Sequence, residues 1–117
     1  MSASRRGRVA ADSPELRRLR ARIDLLDRKL VSLMNERAEL TQAVGDEKAR
    51  LGRPIRDAGR EREVLLRVSM ANAGPTPQAD LLAIYRRLIA AARSLEARER
   101  ERLRRDEPNP DSEPPSA

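Results

Sequence analysis

The sequence predicts an all-α protein of three helices, the first of them very long. Three observations carry this: apolar side chains recurring at alternating steps of three and four, few internal turn signals, and start and stop residues where the periodic segments begin and end. The first helix is expected to start at Ser13-Pro14-Glu15, with Ser13 as cap and Pro14 at the first helical position. It runs without an internal glycine to Gly45, and its stripe is Leu16, Leu19, Ile23, Leu26, Leu30, Leu33, Leu40 and Val44. This is a coiled-coil-like pattern. Carried through Gly45 to about Arg50, the helix has ~36 residues and a length of ~54 Å. A domain this small cannot cover such a helix alone.

The connector Leu51-Gly52-Arg53-Pro54-Ile55-Arg56 joins a glycine stop to a proline, and Asp57 then suits the N-cap of a second, shorter helix holding Val64, Leu65 and Val68. That helix should fail near Asn72-Ala73-Gly74-Pro75. Thr76-Pro77 signals a third start, with Leu81, Ile84, Tyr85, Leu88, Ile89, Ala92 and Leu95 as its stripe. Beyond Leu95 the run Glu-Ala-Arg-Glu-Arg-Glu-Arg can stay helical through close opposite charges. The expected organisation is a disordered basic arm over 1–12, one helical domain over 13–105, and a disordered Pro-rich acidic tail over 106–117.

Composition limits the functions open to this chain. Of its 117 residues 38% are charged; there is no Phe, Trp, Cys or His, and Tyr85 is the one aromatic residue. Leu, Ile, Val, Ala and Met must build a small core, so oligomerisation is expected to bury more apolar surface. Without Cys or His there is no disulfide, no thiolate chemistry and no imidazole ligand, so no metal and no cofactor is expected. No apolar run approaches a membrane span and Met1 to Glu15 holds no apolar core of a signal peptide, which makes the cytoplasm the expected location. The net charge of +6 permits a nucleic-acid partner. Against that, aromatic stacking residues are lacking and the cations are interleaved with acids, so neither nucleic acid nor membrane is expected as a partner.

Only two of the 25 cations are lysines, Lys29 and Lys48, so a Lys at a special position is informative. Continuing the first stripe from Leu33 lands on Arg37, and from Val44 it lands on Lys48. Eleven residues at ~100° each return nearly to the same direction, so both cations share the apolar face, ~16 Å apart along the axis. A lone Arg37 is explained by snorkelling or by pairing with Glu36, Glu39 or a partner chain's carboxylate. Glu61 repeats the anomaly in the second helix, although Asp57 to Glu61 also reads as a cap with an acidic first turn. Glu96 lies one turn beyond Ala92 on the third stripe, where a fraying, solvated helix end is the alternative. Taken together, four ionisable residues on apolar faces describe a polar pocket inside a helical bundle. Its cations and carboxyls suit a small-molecule dianion rather than a polyphosphate, because no Gly-rich phosphate cradle is present.

The segments Leu19-Arg20-x-x-Ile23-Asp24-x-x-Asp27, Glu36-Arg37, Gly45-x-x-Lys48 and Pro54-Ile55-Arg56-Asp57-x-x-Arg60-Glu61 together resemble the all-α chorismate mutase family, over roughly Glu15 to Glu96. The resemblance implies an intertwined homodimer of three-helix chains with two sites, each lined by both long helices, where chorismate undergoes a Claisen rearrangement to prephenate on the way to phenylalanine and tyrosine. It implies that Arg37 and the other chain's Arg20 bind a carboxylate, that Lys48 donates to the ether oxygen of the breaking bond, and that Arg60 binds the second carboxylate region. Glu61 and the Asp57 backbone would hold the ring hydroxyl. Arg20 and Arg37 are ~26 Å apart along one helix, too far to clamp one small ligand, which independently assigns one of them to a neighbour.

Two positions depart from the family pattern. Where it usually has Ser and Gln in the third helix, this chain has Ala92 and Glu96, and an ionised Glu cannot donate to an ether oxygen. Glu96 is therefore expected to act protonated, as in relatives that place Glu there, or else to mark an amino-substituted or isomeric chorismate or a site completed by a partner enzyme. The remaining alternatives are an isochorismate pyruvate lyase, an aminodeoxychorismate mutase and a non-catalytic dimeric helical module.

Overall fold

The computed structural model describes residues 10–106, so most of the expected basic arm and acidic tail lies outside the described residues. Among these residues there are three helices and no strand: α1 over Pro14–Arg50, α2 over Ala58–Ala71 and α3 over Gln78–Asp106. Each boundary has a local cause. At the start of α1 the Leu16 amide donates to Ser13 Oγ at 3.1 Å, satisfying one of the free amides of the first turn. At its end Gly52 takes a positive φ of 67°, the Arg53 amide donates to the Lys48 carbonyl at 2.8 Å and the Gly52 amide to the Ala49 carbonyl at 3.1 Å. That pair of bonds is a Schellman cap, and a side chain at position 52 would strain it. α1 passes through Gly45 unbroken over 37 residues.

Asp57 caps α2, its Oδ1 accepting from the Arg60 amide at 2.9 Å. At the other end Asn72 holds the turn into α3: its amide donates to the Thr76 carbonyl at 3.0 Å and to Gln78 Oε1 at 2.8 Å, and its own oxygen accepts from the Gly74 amide at 3.0 Å. α3 continues past Leu95 to Asp106, through the charged run whose spacing permits opposite-charge pairs such as Arg102 with Glu99 and Asp106.

The chain divides into two compact units, one ending at Glu36 and the other starting at Arg37. Within the first, the apolar stripe of α1 faces open space: Ile23 is 54% exposed, Leu26 and Leu30 56% and Leu33 60%. The second holds the rest of α1 with α2 and α3. Among the described residues Ile89 is its one buried apolar side chain, still 8% exposed, and the other stripe residues of α3, Tyr85 included, are half-buried or exposed. A single chain therefore buries very little apolar area.

One contact between α1 and α3 is unfavourable at neutral pH. Loss of hydration beside α3, then the hydrogen bond to Glu99 and its negative charge, raise the Asp46 carboxyl above its ordinary value. Glu99 is instead held low, chiefly by its hydrogen bond from Arg102. A carboxyl raised on folding contributes its full stability in acid and loses it as pH rises through the raised value. Asp46→Asn, which keeps a donor for Glu99 without the charge, should therefore show a small rise in Tm at pH 7 to 8 that disappears near pH 3. Calorimetry at the two pH values checks this, and a variant no more stable than the parent at pH 7 would count against it.

Candidate functional site

A cavity of about 300 Å³ lies within the second unit, walled by all three helices. α1 contributes Arg37 and Lys48 from one face, with Thr41 and Val44 on the turns between them. The α1–α2 connector and the start of α2 contribute Ile55, Asp57, Arg60 and Glu61; α3 contributes Ile89, Ala92, Arg93 and Glu96. Seven of the eight residues singled out from the sequence thus share one cavity. Arg20 is the exception, because it belongs to the first unit, where its guanidinium pairs with Asp12 at 2.6 Å.

Lys48 is the best-anchored polar group of the cavity. Its ammonium donates to the Ile55 carbonyl at 2.7 Å and to both Glu96 oxygens, at 3.1 and 3.3 Å. The Lys48 side chain is 20% exposed and that of Glu96 only 7%. Glu96 is therefore no solvated helix end but a buried carboxyl with its partner in place, as burial of such a group demands. Gly45 makes this possible. A Cβ at position 45 would lie 3.3 Å from Glu96 Cγ and 3.4 Å from its Cα, so the missing side chain lets α3 approach α1 one turn before Lys48.

Glu61 is held from two sides, with Arg93 Nη1 3.2 Å from one oxygen and Arg56 Nε 3.8 Å from the other. Arg60 points toward Glu63 at 3.4 Å and is largely exposed. The Asp57 carboxylate accepts from the Arg60 amide as the cap of α2, and Asp57 lines the cavity beside Arg60 and Glu61. Arg37 is half-buried and has no carboxylate partner among the described residues. Ala92 offers no hydrogen-bonding side chain, so the α3 wall is polar at Arg93 and Glu96 only. The pocket thus sets four cations against three carboxylates, with one cation lacking a carboxylate partner among the described residues, a charge balance that favours an anion.

Sequence reasoning missed Arg93, Thr41 and Ile55. Thr41 lies four after Arg37 and three before Val44, and Arg93 four after Ile89 and three before Glu96, so both had a periodic signal. Ile55 acts through its carbonyl, for which the side chain carries no signal.

A helical fold with a cation-lined pocket shared by three helices defines the class of protein, and comparison with known proteins gives the family. The family model described as "Chorismate mutase type II" matches residues 19–97. The chain belongs to this family. It is 40% identical over 86 residues to the bifunctional chorismate mutase/prephenate dehydratase of Aquifex aeolicus, covering 70% of this chain and 24% of that protein. To the protein of the same description from Pseudomonas aeruginosa it is 35% identical over 95 residues, covering 74% and 25%. The chain thus spans about a quarter of the length of these curated relatives. Among solved structures, chorismate mutase (Form II) from Thermus thermophilus superposes with a TM-score of 0.70 at 31% identity, over 72% of this chain and 96% of that one. No helix among the described residues is long and apolar enough to cross a membrane.

Proposed function

We propose that residues 13–105 form a chorismate mutase that rearranges chorismate to prephenate, in the cytoplasm and as a homodimer. The observation that carries the reading is the cavity that gathers Arg37, Lys48, Asp57, Arg60, Glu61 and Glu96 around one space, in a chain of the type II family. Arg37 and the Arg20 of a second chain bind one carboxylate of the substrate, and Arg60 the region of the other. Lys48 donates to the ether oxygen as the carbon–oxygen bond breaks and negative charge grows there. The Asp57 backbone and Glu61 hold the ring hydroxyl. The reaction is unimolecular, so catalysis consists of holding the enolpyruvyl group over the ring and placing donors where charge develops. The exposed stripe of α1 supports the dimer, since a second long helix would cover it.

An assay following loss of chorismate absorbance, with the product identified, tests the proposal on the full chain. Prephenate supports it. Pyruvate released from isochorismate, supplied in a parallel reaction, would instead assign an isochorismate pyruvate lyase, and no turnover of either compound would leave a non-catalytic helical module.

Glu96 gives the proposal a pH signature. An ether oxygen only accepts hydrogen bonds, so Glu96 must carry a proton in the substrate complex to act as its second donor. Activity should accordingly fall as pH rises, and Glu96→Gln, which always donates, should flatten that profile. Rate measurements from pH 5 to 9 check this; an identical profile in both proteins would remove Glu96 from the donor role.

A further inference from the structure

We propose that Arg93 is a positioning residue that makes the Glu61 corner of the cavity select a neutral hydroxyl over an ammonium group. The inference rests on the chorismate mutase reading, in which Glu61 receives the substrate's ring hydroxyl. A carboxylate alone is a poor discriminator of this kind. It accepts a hydrogen bond from a hydroxyl, but binds an ammonium more strongly because that bond is charge-assisted.

The surroundings of Glu61 reverse the preference. Its two oxygens face different guanidinium groups, Arg93 at 3.2 Å and Arg56 at 3.8 Å, and its side chain is only 20% exposed. Arg93 also lines the cavity, whereas Arg56 is 72% exposed and does not. One negative charge is therefore flanked by two positive ones, and the nearer and less solvated of these faces the ligand. A hydroxyl still finds a free lone pair on the carboxylate, which has about four. An ammonium in the same place meets the like charge of Arg93, whose field is weakly screened because water is partly excluded. Arg93 has a second effect: it fixes the Glu61 carboxylate from α3, so the acceptor is oriented before substrate arrives.

The experiment compares the full-length protein with Arg93→Met, Arg93→Gln and Arg93→Lys. Two quantities are read: KM and kcat for chorismate, and Ki for the analogue in which an amine, charged at neutral pH, replaces the ring hydroxyl. In Arg93→Met and Arg93→Gln the chorismate KM should rise several-fold with kcat changed less. The analogue should gain, moving the ratio of KM to Ki by at least ~10-fold, while Arg93→Lys keeps the parent ratio. Arg93 is partly exposed, and two replacements of different polarity guard against a folding defect in either. A ratio within about twofold of the parent in both neutral variants overturns the proposal. So does a loss in which both ligands weaken equally, as a purely structural role would give. Failure of the parent protein to turn over chorismate overturns the functional reading beneath it, whereas normal turnover with an unmoved ratio overturns the Arg93 assignment alone.

Discussion

Lys48→Ala should lower kcat/KM for chorismate by at least ~100-fold, the loss that follows removal of one donor from a developing oxyanion. The expectation rests on position. Lys48 is the cation most firmly fixed in the cavity, tied to the Ile55 carbonyl and to Glu96, and a preoriented donor needs no reorganisation when the bond breaks. The substitution also leaves a nearly buried carboxyl without its partner, so Tm should fall as well. The double variant Lys48→Ala/Glu96→Gln separates the two effects, because it removes the stranded charge and should regain much of the lost Tm while staying inactive. Steady-state kinetics beside thermal unfolding of both variants make the test, and near-normal turnover by Lys48→Ala would refute the role.

The second large effect is expected from the open stripe of α1. Replacing Leu26 and Leu30 by Asp should convert a dimer into monomers and abolish turnover together with it. Both side chains are 56% exposed in the single chain, and a Leu that becomes fully buried gains about 1.5–3 kcal/mol, counted for both copies. Sedimentation should report twice the chain mass for the parent and the single mass for the variant. A monomeric variant with full activity would show the site to be complete in one chain. Mixing gives a sharper form of the same test. Chains with Arg20→Ala and chains with Lys48→Ala, each inactive alone, should regain about a quarter of parental activity when exchanged, because half the dimers are mixed and each mixed dimer has one intact site.

Most of the fold was legible because its punctuation is chemical and local. Ser13, Pro14, Gly52 and Asp57 act within one helical turn of their own positions, and each does in the structure what its residue type dictates. The polar cavity was legible for a related reason: Arg37, Lys48, Glu61 and Glu96 interrupt stripes of known period, so each announces that its helix face meets something other than a core. What could not be read was the pairing. That Glu61 belongs to Arg93, and Glu96 to Lys48, depends on how α2 and α3 pack and on the bare surface at Gly45. Periodicity says which face a residue occupies, not its neighbour across the gap. The α3 stripe reads as core throughout, yet Ile89 is its one buried apolar side chain among the described residues, because no other surface of those residues covers the rest.

The Lys48–Glu96 pair means that the cavity carries its own counter-ion. A ligand arriving at Lys48 competes with a carboxyl tethered to α3, whose effective concentration beside the ammonium far exceeds that of any free carboxylate in solution. Dissolved salts and stray metabolites are therefore poor occupants of that position. A productive ligand must displace the tether or share the ammonium with it, drawing on attraction from Arg37 and the rest of the wall. The same residue that excludes casual anions thus ties access to Lys48 to recognition of the whole molecule.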